Sequence, residues 1–297
     1  MHKHQFQKMK LKLILGSQQL SNPSVEAESG GVETIEVKKD GSGKFTTISD
    51  AVKHVKVGNT KRVVIAIGPG EYKEKVTIER LSPYITLLGT DPKNRPTITF
   101  AGTAAQYGTV DSATLIVESD YFVAANIIVS NSAPRPTPQS KGAQAVAMRI
   151  SGDRAAFYNC KFVGFQDTVC DDKGKHFFKD CYIEGTVDFI FGEARSLYLN
   201  TELHVHPVLG RAWFEAARVI YSYCTMSDVV KPEGWSDNAK PEFQKTIFFG
   251  EYKNTGPGAD ATKRVPYTKQ LTDAEAKEFI SMEYIEADKW LLPPPKL

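Results

Sequence analysis

Two stretches of the chain match each other at an offset of 21 residues: FYNCKFVGFQD over Phe157–Asp167 and FKDCYIEGTVD over Phe178–Asp188. Both begin with Phe, carry Cys at the fourth position and a hydrophobic residue at the sixth, and end in Asp. A period of roughly 20–25 residues is typical of one coil of a parallel β-helix, in which each coil packs only against its neighbours. The repeat therefore predicts a solenoid.

The sequence before the repeat consists of short β-branched runs separated by Gly, Pro and Asn. These runs are Arg62–Ile67, Val76–Ile78, Tyr84–Leu88, Thr97–Phe100, Thr114–Val117 and Phe122–Val129. Many short strands with turn signals are compatible with a sandwich, a barrel or a solenoid, and the repeat favours the solenoid. We predict an all-β fold, a single-stranded right-handed parallel β-helix with short capping helices.

The exposed ends of a β-helix need covering, and two segments are candidates. Residues 47–55 predict a short helix that begins at Thr47, with Asp50 three residues later in a capping-box pattern. A second capping box, Thr272–Glu275, leads into a helix over 276–281. The polar stretch 1–32 is predicted to be an irregular leader, and residues 33–297 to form one β-helix domain.

Composition excludes several classes of protein. The chain has 297 residues, of which 41% are hydrophobic and 24% charged, with a formal net charge of +2. No polybasic run suggests nucleic acid, and no stretch approaches the roughly 20 apolar residues of a membrane span. The apolar run within Met1–Leu20 is too short for the hydrophobic region of a secretory signal. The four cysteines, Cys160, Cys170, Cys181 and Cys224, contain no Cys-x-x-Cys pair.

The repeat has a chemical consequence for Asp167 and Asp188, which end its two copies. Neighbouring strands lie about 4.7–4.9 Å apart, so the two carboxyl groups are expected to be adjacent on one face. Adjacent carboxylates disfavour joint ionisation, so one pKa should rise and the pair could supply an ionised nucleophile and a protonated acid. Stacked Asp residues can equally be turn formers, and the spacing alone leaves both interpretations open.

Other candidate sites have simpler interpretations. The alternating histidines His204 and His206 lack a third ligand, so we predict no metal site there. The stretch Asp171–Gly174 is predicted to be a solvated turn rather than a calcium site. Cys160 and Cys181 are expected to stack one coil apart, where a disulfide and a pair of free thiols are both compatible with the spacing.

Five segments resemble, in order, the signature segments of the pectin methylesterase (pectinesterase) family. They are Gly70–Glu74, Gly142–Ala147, Gly164–Thr168, Asp188–Gly192 and Leu209–Trp213. The resemblance runs from about Val37 to the C-terminus and is nearest to the plant, pollen-expressed branch, some members of which are allergens. It implies a secreted enzyme that hydrolyses methyl esters of polygalacturonate in the cell wall.

The resemblance also implies roles for individual residues. Asp188 would be the nucleophile and Asp167 the general acid and base, with Gln166 and Gln144 stabilising the oxyanion and Arg211 pairing with Asp188. Trp213 and Thr109 would contact the sugar chain. The implied partners are pectin and a proteinaceous pectinesterase inhibitor, and the implied state is a monomer without cofactor or metal.

The chain departs from this family between Gly192 and Leu209, where only sixteen residues intervene. Relatives have a longer interval, so an internal piece is expected to be missing here. Arg211 follows Asp188 by 23 residues, close to the repeat, and should still land on the next coil. The first hypothesis is therefore an active esterase. The alternatives are a catalytically impaired pectin-binding β-helix and a polysaccharide lyase on a similar solenoid.

Overall fold

The computed structural model describes residues 31–205 and 208–295. Most of the predicted leader, residues 1–30, lies outside the described residues. The strands up to the first gap are β1 (Glu33–Val37), β2 (Val63–Ile67), β3 (Glu71–Lys73), β4 (Val76–Ile78), β5 (Ile85–Gly89), β6 (Thr97–Phe100), β7 (Leu115–Val117), β8 (Val123–Ala125), β9 (Ile128–Asn131), β10 (Met148–Ile150), β11 (Ala155–Tyr158), β12 (Lys161–Val163), β13 (Val169–Asp171), β14 (Lys175–Lys179), β15 (Tyr182–Gly185), β16 (Ile190–Phe191), β17 (Arg195–Leu199) and β18 (Glu202–Val205).

Within the described residues, a shorter group of strands and three α-helices follow. The later strands are β19 (Gly210–Arg211), β20 (Arg218–Ser222), β21 (Thr225–Met226), β22 (Trp235–Ser236), β23 (Phe248–Tyr252) and β24 (Thr268–Gln270). The α-helices are α1 (Ile48–His54), α2 (Ala104–Tyr107) and α3 (Asp273–Phe279).

Three parallel sheets stack the coils of residues 33–205 and confirm the predicted β-helix. Sheet A has the order β1-β2-β5-β8-β11-β14-β17, sheet B the order β21-β18-β15-β12-β9-β6-β3, and sheet C the order β16-β13-β10-β7-β4. The chain passes from sheet A to sheet B to sheet C and back, so that consecutive coils stack strand on strand.

The 21-residue offset of the sequence repeat is also the offset between residues that pair on adjacent strands of successive coils. In sheet A Phe157 pairs with Phe178, in sheet B Phe162 pairs with Ile183, and in sheet C Val169 pairs with Ile190. All three pairs are separated by the same 21 positions, because each of these coils has strands and turns of equal length.

The strand predictions are largely confirmed, with one error. The run Phe122–Val129 is two strands, β8 and β9, rather than one. Asn126 lies between them with φ 56°, in the left-handed region that Asn tolerates better than most residues. The apolar pattern continues through this bend, so hydrophobicity alone does not reveal it.

The core is a column of side chains inside the coils. Phe157 stacks on Phe178 with ring centroids 4.5 Å apart, and Phe178 stacks on Tyr198 at 4.3 Å. Like side chains stack because equivalent positions of successive coils face each other across one strand spacing. A full solenoid core therefore depends on unbroken repetition from coil to coil.

The first predicted cap is confirmed and the second is wrong in its placement. The Thr47 hydroxyl accepts a hydrogen bond from the Asp50 amide at 3.2 Å, and α1 packs its apolar face into the core beside β1 and β2. Thr272 and Glu275 form the capping box of α3. However, α3 packs against Phe248 on the outer face of β23. The helix therefore covers the side of a coil rather than the open end of the β-helix.

A seam separates two groups of coils, which we call the N-terminal coils (residues 33–205) and the C-terminal coils (residues 208–271). In the described residues β17 has no ladder pairing to β20, and β16 has none to β19. Only sheet B continues, through the short pairing of β18 with β21. The C-terminal coils instead form their own sheets, β19-β22 and β20-β23-β24.

Candidate active site

The two aspartates of the repeat lie at equivalent turns of adjacent coils. Asp167 precedes β13 and Asp188 precedes β16, and the amide of Asp167 donates a hydrogen bond to the Val187 carbonyl at 3.1 Å. Both adopt positive φ, 68° and 53°, a conformation that Asp tolerates by local hydrogen bonding. The expected adjacency of the two residues is therefore confirmed.

Asp167 has an environment that favours its protonated form. Its residue surface is only 7% exposed, and its Oδ1 has no hydrogen-bond partner among the described residues. Burial, and next the charge of Asp188, raise the pKa of Asp167 to about 7, while Arg211 and a hydrogen bond from Gln166 oppose this rise. A carboxyl group with this pKa can donate or accept a proton near neutral pH.

Asp188 has the opposite environment, because it is held by a cation. Arg211 Nε donates to Asp188 Oδ1 at 2.8 Å, and Arg211 Nη2 donates to Asp188 Oδ2. The hydrogen bond to Asp188 raises the pKa of Arg211 above its usual value. Such a bidentate pair favours the ionised carboxylate. The two neighbouring carboxyl groups therefore differ in environment: Asp167 is buried with a raised pKa, and Asp188 is held by the Arg211 guanidinium.

Arg211 reaches Asp188 from the far side of the seam. It lies in β19, at the start of the C-terminal coils, which confirms the expectation that it lands on the coil after Asp188. Its Nη1 also donates to Asn238 Oδ1 at 3.4 Å. Asn238 was not singled out from the sequence, because it belongs to no repeat and to none of the five signature segments.

Gln166 and Gln144 lie one coil apart, next to the aspartates. The Ala145 amide donates to the Gln166 carbonyl at 3.1 Å, which places the two glutamine turns side by side. Gln166 hydrogen-bonds Asp167, whereas Gln144 Oε1 is buried without a partner among the described residues. The unpartnered Gln144 atom is a hydrogen-bond acceptor beside the Gln166 turn.

The predicted sugar-contacting residues differ in how closely they join this site. Trp213 is 51% exposed, and the Arg211 guanidinium lies 5.1 Å from its ring centroid, so it adjoins the ion pair. Its neighbour Phe214 is 65% exposed, an aromatic that sequence reasoning missed. Thr109 precedes the 3₁₀ turn Val110–Ser112, and its carbonyl accepts a hydrogen bond from the Ser112 hydroxyl at 2.6 Å, a contact within that turn.

The prediction of a solvated turn at Asp171 is wrong. Asp171 is 6% exposed; its Oδ1 lies 2.6 Å from His176 Nδ1, and its Oδ2 accepts a hydrogen bond from Tyr198 at 2.7 Å. His176 Nε2 lies 2.8 Å from the Gly152 carbonyl. This buried network links three coils, and its partners come from distant positions that the local Asp-Asp-Lys-Gly pattern does not reveal.

The remaining candidates have structural partners. The four cysteines are buried free thiols, so the open choice at Cys160 and Cys181 is resolved as unpaired thiols. His204 Nε2 lies 2.7 Å from Glu202, and His206 lies outside the described residues. Over residues 31–205 and 208–295 no group of three or more His, Cys, Asp or Glu side chains is arranged to hold a metal ion, and no helix is long and apolar enough to cross a membrane.

A parallel β-helix that carries two adjacent carboxyl groups, one buried with a raised pKa and one ion-paired with an arginine, beside exposed aromatics has the features of a polysaccharide-modifying hydrolase. The Pectinesterase family model matches residues 34–209 and 198–288. The chain therefore belongs to the pectinesterase family, whose members are carboxylic ester hydrolases.

Individual relatives agree with this assignment. The chain is 55% identical to putative pectinesterase 63 of Arabidopsis thaliana, over 87% of this chain and 86% of that protein. It is 51% identical to pectinesterase 1 of Olea europaea, over 92% of this chain and 84% of that protein. Among solved structures, carrot pectin methylesterase superposes with a TM-score of 0.78 at 27% identity, covering 88% of this chain and 97% of that one.

Proposed function

We propose that the chain hydrolyses the methyl esters of pectin, and that Asp188 and Asp167 carry out the reaction. The observation that carries this proposal is the division of two adjacent carboxyl groups into one ion-paired with Arg211 and one with a pKa raised to about 7. Relatives over most of the chain are named pectinesterases, and a structurally similar pectin methylesterase has been solved with a hexasaccharide bound.

In the first half of the reaction the Asp188 carboxylate attacks the ester carbonyl carbon. The carbonyl oxygen takes up the negative charge, and Gln166 and Gln144 donate hydrogen bonds to it. The bond to the methoxy oxygen then breaks, and Asp167 gives its proton to that oxygen, so methanol leaves. The product is an acyl-enzyme in which Asp188 is joined to the galacturonate carbonyl, and Asp167 is left ionised.

In the second half Asp167 accepts a proton from water while the water oxygen attacks the acyl carbon. The bond to Asp188 breaks, a free galacturonate carboxylic acid is released, and both aspartates return to their starting states. Arg211 stabilises the Asp188 carboxylate at the beginning and end of the cycle. Trp213 and Thr109 hold sugar rings on either side of the ester.

The biological setting follows from the family. Pectin in the plant cell wall is the substrate, so the chain acts outside the cell. We extend the proposal to a monomer that works without a cofactor and is recognised by a proteinaceous pectinesterase inhibitor, and to expression in pollen, with the allergenic character that some pollen members have. Residues 33–297 act as one domain.

An internal deletion near the seam forms part of the proposal. The two ranges matched by the family model overlap at residues 198–209, and the interruption of sheets A and C falls at the same place. The alignment with pectinesterase 1 of Olea europaea spans 306 residues, more than the whole chain's 297, so that relative has residues without a counterpart here. Because Arg211 still pairs with Asp188, this geometry favours the active enzyme over the impaired binding protein.

Methanol release from highly methylated pectin tests the function. The wild-type chain should release methanol, and Asp188→Asn should reduce the rate by at least about 10³-fold, since it removes the nucleophile. Asp172→Asn, a carboxylate on a turn away from the site, is the matched control and should retain full activity. Absence of methanol from the wild type, or an equal rate in Asp188→Asn, would refute the proposal.

Two further measurements separate the alternatives. A lyase would generate unsaturated chain ends that absorb in the ultraviolet, without methanol. Sequencing the transcript across Pro207 and Val208 tests the deletion, because a continuous coding sequence there supports a shortened chain, whereas an intervening coding segment contradicts it.

A further inference from the structure

A second concave site lies away from the two aspartates. It has a volume of about 330 Å³ and follows the turns from sheet A to sheet B, where β11, β14 and β17 lead into β12, β15 and β18. Asp167 and Asp188 lie at the other ends of the sheet B strands, on the turns toward sheet C. We call this site the turn groove; its lining includes Arg95, Asn159, Lys161, Asp180, Asn200 and Glu202.

Turn geometry accounts for part of the lining of the turn groove. Asn159, Asp180 and Asn200 occupy the same position in three successive coils, with φ of 49°, 55° and 53°. Asn and Asp are favoured in this left-handed conformation, and Asn200 Nδ2 donates to Asp180 Oδ1 at 2.5 Å. These polar residues therefore need no ligand to explain them.

Turn geometry does not account for the two cations of the turn groove. Arg95 comes from a loop two coils earlier, and its Nη1 donates to the Asn159 carbonyl at 2.9 Å. Lys161 Nζ lies 4.1 Å from the centroid of the Tyr182 ring. Among the described residues neither cation has a carboxylate within ion-pair distance, whereas the acids beside them are already paired: Asp180 with Lys179, and Glu202 with His204.

The turn groove thus offers two cations that have no ion-pair partner among the described residues, beside two carboxylates that are paired with other side chains. Guanidinium and ammonium groups recognise carboxylates through charge-assisted hydrogen bonds, and a neutral methyl ester cannot replace the carboxylate in such a contact. The amides and acids of the turns can accept and donate hydrogen bonds to sugar hydroxyls. The chemistry fits an anionic sugar.

We propose that the turn groove binds the carboxylate of a demethylated galacturonate unit, as a site for the reaction product that is separate from the catalytic aspartates. This inference rests on the proposed function, which supplies the ligand. Lys161 begins β12 and Asp167 follows its end, so the two sites are on the order of 10 Å apart along the strand. The enzyme would therefore hold pectin more tightly where neighbouring units have lost their methyl groups.

Binding of an unmethylated galacturonate hexamer to the full chain, measured by calorimetry at low salt, tests the proposal. Arg95→Gln/Lys161→Gln should weaken binding about tenfold, as expected for the loss of two partly exposed charge contacts. The matched control Arg80→Gln/Lys173→Gln, which removes two exposed cations from turns between sheets C and A, should leave the affinity unchanged. A fully methylated hexamer, measured with Asp188→Asn added to every variant so that its esters are not hydrolysed, should not distinguish the two double variants.

Two results would overturn the proposal: equal affinity of the wild type and Arg95→Gln/Lys161→Gln for the unmethylated hexamer, or an equal loss for the methylated hexamer. Lys161→Gln alone keeps the Arg95–Asn159 contact and should weaken binding of the unmethylated hexamer about threefold. This single variant replaces the double variant if the double variant fails to fold. Methanol release by the wild type is measured in parallel. Its absence would refute the esterase function, whereas the pattern of hexamer affinities decides the turn groove independently.

Discussion

The N-terminal and C-terminal coils are built from the same kind of strand but are held together differently. In the N-terminal coils all three sheets continue from coil to coil, and the stack Phe157–Phe178–Tyr198 runs through the interior. In the C-terminal coils the sheets start anew, and a separate stack joins Tyr221, Trp235 and Phe249. The seam between them interrupts two sheets out of three.

This difference teaches how much interruption a solenoid tolerates. Each coil contacts only its neighbours, so a mismatch at one boundary leaves the coils on both sides intact. The seam also divides the candidate active site. Asp167 and Asp188 belong to the N-terminal coils, whereas Arg211 and Trp213 belong to the C-terminal coils. The two aspartates and the cation that holds Asp188 therefore meet across the boundary at which sheets A and C are interrupted.

The largest expected effect is on the stability of the two groups of coils. Phe178→Ala and Phe249→Ala each remove a fully buried ring and should cost about 3–5 kcal/mol. Because two of the three sheets are interrupted at the seam, Phe249→Ala should reduce amide protection in β20 and β23 while β11 and β14 keep theirs, measured by native-state hydrogen exchange. Phe178→Ala should instead reduce amide protection in β11 and β14. Uniform loss of protection throughout the chain in Phe249→Ala would show one cooperative unit instead.

A smaller effect is expected from breaking the contact across the seam. Arg211→Ala leaves the Asp188 carboxylate largely buried without its cation and should lower kcat/KM for methylated pectin about 10²-fold. Arg211→Lys should recover part of the rate, because Lys keeps the charge but loses the bidentate geometry. Arg218→Ala, an exposed cation on the same side of the seam, is the control and should be nearly neutral. Equal rates for Arg211→Ala and the wild type would mean that the ion pair plays no part in the reaction.

A comparable effect is expected in the pH dependence of stability set by Asp167. Its native pKa of about 7 lies above the ordinary 3.8, so between these values the folded state holds a proton that the unfolded state has lost. The stability of the wild type should therefore decrease as pH rises from 4 to 7, by on the order of 2–4 kcal/mol. In chemical unfolding experiments, Asp167→Asn should abolish this dependence of the free energy of unfolding on pH. If the free energy of unfolding still decreases by the same amount in Asp167→Asn, the dependence belongs to other groups.

The pH dependence of activity provides a second measurement of the Asp167 pKa. The acid step needs protonated Asp167, so acyl-enzyme formation should decline above about pH 7. Arg211 lowers the pKa of Asp167, and its removal should shift this decline to higher pH in the residual activity of Arg211→Ala. An unchanged pH profile would indicate that the cation beyond the seam does not influence Asp167.

The errors in sequence interpretation have local causes. The bend at Asn126 was missed because the apolar alternation of β8 and β9 continues across it. Asp171 was interpreted as a solvated turn because its immediate neighbours are polar, whereas its partners His176 and Tyr198 lie five and 27 residues further along the chain. The helix α3 was identified by its capping box, but the box does not indicate which surface the helix covers.

The sequence by itself determined the parallel β-helix, the adjacency of Asp167 and Asp188, and the position of Arg211 on the coil after Asp188. Each follows from a chain period close to 21 residues, because a solenoid converts equal spacing in sequence into adjacency in space. Only the tertiary structure decided that sheets A and C stop at the seam, that Asp171 is buried, and that Arg95 and Lys161 line the turn groove without an ion-pair partner among the described residues. Those features depend on contacts between residues whose separation matches no repeat, and on the depth of burial, which no local pattern encodes.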